Sequence, residues 1–340
     1  MLRIHFWSAV RPTTFREWQF VEINCIYVVH LMEPDNEPDH LTSAEVKEYL
    51  DRIHYTGPIE PNIDVLSQLH RCHMLSVPFE NLSVFGKEKI VLSKDWLFAK
   101  IVKRHRGGFC CELNTIFSLL LNSLGFKHEK HAGMVFSRKT GRIGPPFDHM
   151  ILTVEISDCT WLSDVAFGDS YMTPLRFSGS ADPQEQQSGV YRIRRDGDDY
   201  FVEEKIKIIV DNSGREEMAK ETFTTDAEWA PRYQFDAIPR TIKDFQERLL
   251  YHQTNVQSPF THGRICTMAM PWGRISLAGS KVVTSTYLGD NKVRKETKEL
   301  QGGEEEIAKE LEQNFGIKRE ACFYPEGSVF YGVDWSKETL

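Results

Sequence analysis

The stretch "RHRGGFCCELNTIFSLLLNSLGF", residues 104–126, sets two adjacent cysteines, Cys110 and Cys111, directly after Gly107-Gly108 and directly before an apolar stripe. Three chemistries fit such a pair: a nucleophilic thiol, two metal ligands, or two small core residues. A nucleophilic cysteine must be thiolate-like near neutral pH, against a free pKa of roughly 8.5, and a helix N-terminus and an adjacent imidazolium both lower that value. Leu113, Ile116, Phe117, Leu120, Leu121 and Leu124 recur at helical spacing, which predicts a helix that stops at Gly125 and carries both cysteines in its first turn. The glycine pair lets the backbone approach a ligand closely and frees N–H groups for an oxyanion. Free cysteine is usually core, so spacing alone leaves the nucleophilic and the structural readings level.

A base is needed, and of the twelve histidines His149 stands out by position. It opens "HMILTVEI", a strand pattern in which His149, Ile151 and Thr153 share one face. The next strand is "TWLSDVAFG". A turn centred on Ile156-Ser157 sets His149 directly opposite Asp164, and a turn centred on Ser157-Asp158 makes Asp164 its diagonal neighbour. Either even-length turn leaves imidazole and carboxylate on one side of the sheet; an odd-length loop would separate them. Asp164 would then fix the tautomer of His149, and His149 would take the thiol proton of Cys110.

The elements that must hold these groups follow from the pattern. A capping signal at Thr42 or Ser43 opens a helix, residues 62–76 form a second that Pro78 stops, and "SKDWLFAKIVKRH" forms a third. After residue 126 the pattern turns to period two, with strand-like runs through about residue 210. "PRTIKDFQERLLYHQTN" reads as a helix, "ICTMAMPWGRISLAGSKVVTSTYL" as strands, and "GGEEEIAKELEQNFGI" as a late amphipathic helix. The outline is a helical first third, a β middle and a mixed last third.

Composition narrows the function. The chain has 340 residues and a formal net charge of -8, which argues against a general nucleic-acid binder but leaves room for a local basic pocket that takes a small anion. The seven cysteines are scattered, with no CxxC and no zinc-finger spacing, as in a reduced intracellular protein without a metal site. The apolar run "FVEINCIYVVHLM" is too short to span a bilayer, where ~20 residues are needed. Residues 1–39 read as an extension, poorly ordered, with a mitochondrial presequence over 1–31 as the lesser alternative to a cytoplasmic chain.

The motifs "VPFENL" (77–82), "RGGFCCELN" (106–114), "DHMILTV" (148–154), "SDVAFGD" (163–169), "SPF" (258–260) and "GRISLAG" (273–279) resemble those of the arylamine N-acetyltransferases, in the family's order, from about residue 40 to the C-terminus. The resemblance implies Cys110 as nucleophile, with His149 and Asp164 completing a triad, and leaves Cys111 at a variable position, read as packing. It implies an α+β fold with a papain-like cysteine core: an N-terminal helical bundle (40–127) carrying the nucleophile, a central β-barrel (128–240) carrying His149 and Asp164, and a C-terminal α/β lid (241–340). It further implies ping-pong transfer of an acetyl group, with propionyl or malonyl as variants, from acyl-CoA to an arylamine or arylhydrazine, serving xenobiotic detoxification. It implies acyl-CoA as a co-substrate with no permanently bound cofactor, and it implies no nucleic acid, membrane or protein partner. Phe109, Phe167 and Phe260 are candidates to line the acceptor cleft, with ordinary core as the competing reading. Glu80 and Arg106 lie in motif segments beside the nucleophile, where a bidentate contact would brace the helix start. The polar loop with Arg138, Lys139 and Arg142 reads as solvated, with CoA phosphates as its alternative partner. Two features depart from the family: Ala166 stands where glycine is frequent, and the extension is not a usual feature. The rival for the same three residues is a papain- or transglutaminase-like hydrolase or cross-linking enzyme.

Overall fold

The computed structural model describes residues 40–138 and 140–322; the expected extension over residues 1–39 lies outside the described residues. Helices α1 (Ser43–Arg52) and α2 (Ile63–Ser76), strand β1 (Phe79–Glu80), and helices α3 (Leu82–Phe85), α4 (Lys94–Leu97) and α5 (Cys110–Ser123) come first. A capping box opens α1: the Thr42 hydroxyl accepts from Glu45 N at 3.3 Å, and the Glu45 carboxylate accepts from Thr42 N at 2.8 Å. Helix α5 begins at Cys110, as the stripe predicts, but differs from a one-faced helix in being buried nearly all round, including Asn114, Thr115 and Ser118. Leu113, Ile116, Phe117, Leu120 and Leu121 are all solvent-free in the main core cluster. Each such side chain contributes roughly 1.5–3 kcal/mol by burial, so α5 is a rigid platform for whatever stands at its first turn.

Strands β2 (Lys127–Val135), β3 (His149–Ile156), β4 (Cys159–Ser163), β5 (Leu175–Arg176), β6 (Gln184–Gln186), β7 (Gly189–Asp196), β8 (Asp199–Lys205) and β11 (Trp229–Asp236) form an eight-stranded sheet in the order β5-β4-β3-β2-β11-β8-β7-β6. The two ends approach each other, and side chains bridge them. Gln184 accepts from Arg176 N at 2.7 Å and donates to Arg176 O at 3.1 Å, and Gln186 accepts from Met172 N at 2.7 Å. The result is a barrel-like, nearly closed sheet whose last seam is sewn by amides. Its core is aromatic, with Tyr171, Tyr191, Tyr233 and Phe235 fully buried.

The second sheet contains β9 (Ile208–Val210), β10 (Glu216–Met218), β12 (Ile265–Met270), β13 (Gly273–Ala278), β14 (Lys281–Gly289) and β15 (Lys292–Glu299), and β1 joins its edge. Helices α6 (Gln246–Thr254) and α7 (Pro259–His262) precede β12, and α8 (Gly303–Phe315) covers the sheet with Ile307, Leu311 and Phe315. Strands β9 and β10 leave the barrel sequence to pair here, β9 running parallel to β15. Strand β1 brings "VPFENL" to the site: Phe79 forms a parallel bridge with Gly108, and Glu80 N donates to Gly108 O at 2.9 Å.

Candidate active site

The backbone just before α5 is wedged against the chain that leads into β1. A Cβ added at Gly107 would stand 1.9 Å from Pro78 O, so no larger residue fits. Arg106 and Glu80, both fully buried, meet beside this crossing: Arg106 Nε and Nη2 each lie 2.9 Å from Glu80 Oε1. The two nitrogens converge on one oxygen instead of spanning both, because Oε2 accepts from Leu82 N at 2.6 Å. Gly107 N donates to Glu80 Oε1 at 3.2 Å. One carboxylate thereby fixes the guanidinium, the glycine turn and the segment after β1.

The first turn of α5 has a phenylalanine at its N-cap, which offers no side-chain acceptor. Glu112 supplies one, accepting from Phe109 N at 3.2 Å, and Lys100 Nζ meets its other oxygen at 2.6 Å. Burial pushes the Glu112 carboxyl up, against the pull of Lys100. Cys110 thus occupies the first helical position of an end anchored by ion pairs, where backbone N–H groups point out of the helix.

His149 opens β3. Leu152 pairs with Ser163 and Ile156 with Cys159, so the hairpin takes the second of the two even registers, and Asp164 follows the end of β4 as the diagonal neighbour of His149. Ser157 carries the positive φ of 53° that this turn requires. His149 Nε2 lies 2.7 Å from Asp164 Oδ2, and both residues are buried. Burial would push the imidazole down, but the Asp164 charge and hydrogen bond, with a hydrogen bond to Cys110, raise it to about 10. With Nε2 committed to Asp164, Nδ1 is the ring nitrogen left for the thiol.

Asp164 is held on every side. Its Oδ1 accepts from Asn114 Nδ2 at 2.9 Å and from Ala166 N at 3.0 Å, and its own N–H donates to His70 Nε2 at 3.3 Å. Burial opposes ionisation of this carboxyl, and His149, Asn114 and the Ala166 N–H together hold it below the usual carboxylate range. Ala166, the departure from glycine, is itself buried.

Around the sulfur, Cys110 Sγ stands 4.0 Å from Cys111 Sγ and 3.7 Å from Asp148 O. The hydrogen bond with Cys111, joined by that with His149 against the effect of burial, holds the Cys110 thiol well below its ordinary pKa. Asp148 Oδ1 accepts from Arg248 Nε at 2.8 Å and Nη2 at 2.6 Å and meets His252 Nε2 at 2.9 Å, so helix α6 is tied to the residue preceding His149.

The structure brings Cys110, His149 and Asp164 into one buried run, with Glu80 and Arg106 beside its helix end. The three phenylalanines divide. Phe167 packs edge-on against His149, with centroids 5.2 Å apart. Phe260 stacks on Phe109 at 5.5 Å, and Phe109 is fully buried beneath it. Arg138 pairs with Glu204 at 3.2 Å, and Lys139 lies outside the described residues. Sequence reasoning missed Asn114, His70, Asp148 and His252. Asn114 had a signal, since it stands one helical turn after Cys110 and therefore on the same face. Its amide also donates to Met150 O at 2.6 Å and accepts from Val165 N at 3.2 Å. His70 had none: it reaches Asp164 across 94 residues. Among the described residues no cluster of three or more His, Cys, Asp or Glu side chains could hold a metal ion, and no helix is long and apolar enough to cross a membrane.

Comparison with known proteins gives this geometry a context. The sequence profile described as N-acetyltransferase matches residues 62–322. The chain is 31% identical over 287 residues to arylamine N-acetyltransferase, pineal gland isozyme NAT-3, of Gallus gallus, covering 83% of this chain and 97% of that protein. It is 28% identical over 295 residues to arylamine N-acetyltransferase 1 of Homo sapiens, covering 85% of this chain and 100% of that protein. Among solved structures, the Mycobacterium abscessus arylamine N-acetyltransferase shares the fold with a TM-score of 0.69 at 24% identity, over 82% of this chain and 92% of its own. The Mycobacterium marinum enzyme in complex with CoA matches with a TM-score of 0.68 at 25% identity, over 82% and 95%.

Proposed function

The chain belongs to the arylamine N-acetyltransferase family, and from that premise we propose that it moves an acetyl group from acetyl-CoA to an arylamine or arylhydrazine through an acyl-cysteine on Cys110. The observation that carries this reading is the buried run Asp164–His149–Cys110 at a helix N-terminus, in which the imidazole is raised and the thiol lowered.

In the first half-reaction the Cys110 thiolate attacks the thioester carbonyl. The Sγ–C bond forms, the C–S bond to CoA breaks, and the departing sulfur takes the proton of the His149 imidazolium. N–H groups of the first turn of α5 receive the oxyanion. In the second half-reaction the weakly basic amine attacks the acyl-cysteine. It gives its proton to His149, and Cys110 leaves as thiolate. Asp164 keeps the ring aimed throughout; the triad logic requires it to stay ionised.

CoA enters as co-substrate, a reading supported by the Mycobacterium marinum enzyme having been solved with CoA. Phe167 beside His149 and Phe260 over Phe109 are the apolar surfaces we assign to the aromatic acceptor. We read the fold as a papain-like core divided into a helical part (40–127), a barrel (128–240) and a lid (241–340), with β9 and β10 lent by the second to the sheet of the third. Glu80 and Arg106 are its structural support. The reaction needs a reduced thiol, which the cytoplasm provides.

The test measures CoA release from acetyl-, propionyl- and malonyl-CoA, with and without an arylamine, in the wild type and in Cys110→Ala. The wild type should release one equivalent of CoA without amine and turn over with it, leaving an acyl group on the peptide that contains Cys110. The donor giving the fastest release identifies the acyl preference. Hydrolysis of peptides or glutaminyl amides with no CoA release would replace this reading with the papain- or transglutaminase-like one, and full activity of Cys110→Ala would remove the nucleophile.

A further inference from the structure

Adjacent residues on a helix point roughly 100° apart, so two neighbouring side chains do not ordinarily meet. The sulfurs of Cys110 and Cys111 nevertheless stand 4.0 Å apart, both buried, at the first turn of α5. An ionised Cys110 needs hydrogen-bond donors. Its contact with Asp148 O at 3.7 Å serves only the protonated thiol, because a carbonyl cannot donate. Beside Sγ stand His149, which favours the ionised sulfur, and the Cys111 thiol at 4.0 Å.

We propose that Cys111 is a positioning residue: its S–H donates to the Cys110 sulfur and keeps the single negative charge of the vicinal pair on residue 110. This rests on the reading of Cys110 as the nucleophile. Two thiols in contact cannot both ionise cheaply, so the pair shares one charge, and the surroundings decide where it sits. His149 on β3 and His252 on α6 face Cys110 and favour the anion there. Glu112 on α5 and Asp148 before β3 face Cys111; its hydrogen bond to Cys110 comes first, then burial, then these charges, in holding its proton on. The Cα atoms of adjacent residues are about 3.8 Å apart, shorter than the roughly 4.4–6.8 Å of ordinary disulfides. Sharing a proton is therefore the easier chemistry for this pair than oxidation.

The experiment follows alkylation of Cys110 by iodoacetamide across pH, without acyl-CoA, on the full chain, with the modified peptide identified by mass. Cys111→Ala removes the donor and Cys111→Ser keeps one. In Cys111→Ala the alkylation midpoint should rise by about one pH unit, so that Cys110 reacts about tenfold more slowly at a pH below both midpoints. Cys111→Ser should stay near the wild type. Equal midpoints in Cys111→Ala and wild type would overturn the proposal, as would equal shifts in the alanine and serine variants, which would mean packing alone. If Cys111→Ala does not fold, the isosteric pair Cys111→Thr and Cys111→Val makes the same comparison, with the donor kept in the first and lost in the second. Retained acyl transfer in Cys110→Ala would instead defeat the underlying reading. Loss of transfer in Cys110→Ala with an unshifted Cys111→Ala defeats this inference only.

Discussion

Asn114 Nδ2 lies 2.9 Å from Asp164 Oδ1, which couples the helix of Cys110 directly to the carboxylate bonded to His149. The same amide holds Met150 O on β3 and Val165 N after β4, so a single side chain fixes the spacing of the three segments that meet at the site. Asn114→Leu removes all three contacts at similar volume. A misplacement of about 1 Å can cost on the order of 10²-fold in rate, and kcat for acetyl transfer should fall on that scale while KM changes little. Asn114→Asp should be worse, because it sets a second carboxylate against Asp164. Steady-state kinetics of the two variants, with thermal unfolding as a control for folding, checks both statements.

Arg106 should be indispensable to stability. Its guanidinium is wholly buried against Glu80 and also donates to Ser83 Oγ at 3.2 Å and Ala321 O at 3.2 Å. Removing one partner of a buried pair costs about 3–5 kcal/mol, because the other charge stays behind. Arg106→Ala should lose that much in urea denaturation. Arg106→Lys keeps the charge but not the fork, and should still lose a substantial part. An unchanged unfolding midpoint in Arg106→Lys would remove Glu80–Arg106 as a brace.

Much of this arrangement can be read in the sequence where it is carried by periodicity. The stripe Leu113–Leu124 defines α5 and its start, and the alternation around His149 and Asp164 narrows the hairpin to two registers. The register adopted is the one centred on Ser157-Asp158, with Ser157 in a left-handed backbone, which no pattern announces. What stays hidden is held by long-range polar contacts. The β5–β6 seam depends on the Gln184 and Gln186 amides, β1 is two residues long, and His70 reaches Asp164 from another element. Glu203 and Glu204 look like solvent-facing strand residues, yet both are buried, held by Arg192 at 2.6 Å and Arg232 at 2.6 Å. Hydrogen bonds of this kind have no period, so only the folded chain reveals them.

Acid should destabilise the protein through two buried histidines on α2. Burial pushes His70 down to about 4, with its hydrogen bond to Met172 O and the nearby Asp164 charge only partly offsetting it, and burial pushes His73 well below its ordinary value. Between the ordinary histidine pKa near 6.5 and about 4, the unfolded chain binds protons that the folded chain refuses, so stability falls as pH falls. Each histidine contributes a slope of about 1.4 kcal/mol per pH unit. The carboxylates of Glu80 and Asp164, held below the usual range, act in the same direction only at still lower pH. His73 Nδ1 meets the Tyr49 hydroxyl at 2.8 Å, a contact that His73→Gln can keep. Denaturation at pH 7 and pH 5 should show the variant losing less stability than the wild type, and equal losses would contradict the assignment of His73 as a neutral ring.

The catalytic pH profile should be broad because Asp164 separates the two limbs. On the proposed mechanism the reactive form holds a Cys110 thiolate and a His149 imidazolium. The thiolate forms at a pH well below the ordinary cysteine value, and the imidazolium persists until about pH 10, so kcat/KM for acetyl-CoA should be flat through neutrality and fall as pH passes about 10. Both limbs belong to the coupled pair and not to either residue alone. Asp164→Asn removes the charge that opposes burial at His149. The basic limb should then drop toward or below the ordinary histidine value near 6.5. The acid limb should rise, since the thiolate loses its cationic neighbour, and the rate at pH 7 should fall on the order of 10³-fold or more, as when a triad loses its carboxylate. Stability should follow with a definite sign. A raised histidine pKa adds stability that is fully present below about 6.5 and is lost as pH rises through about 10. The destabilisation contributed by losing that term should therefore be full below about 6.5 and vanish above about 10. A basic limb left near pH 10 in Asp164→Asn would mean that another group holds the imidazole charged.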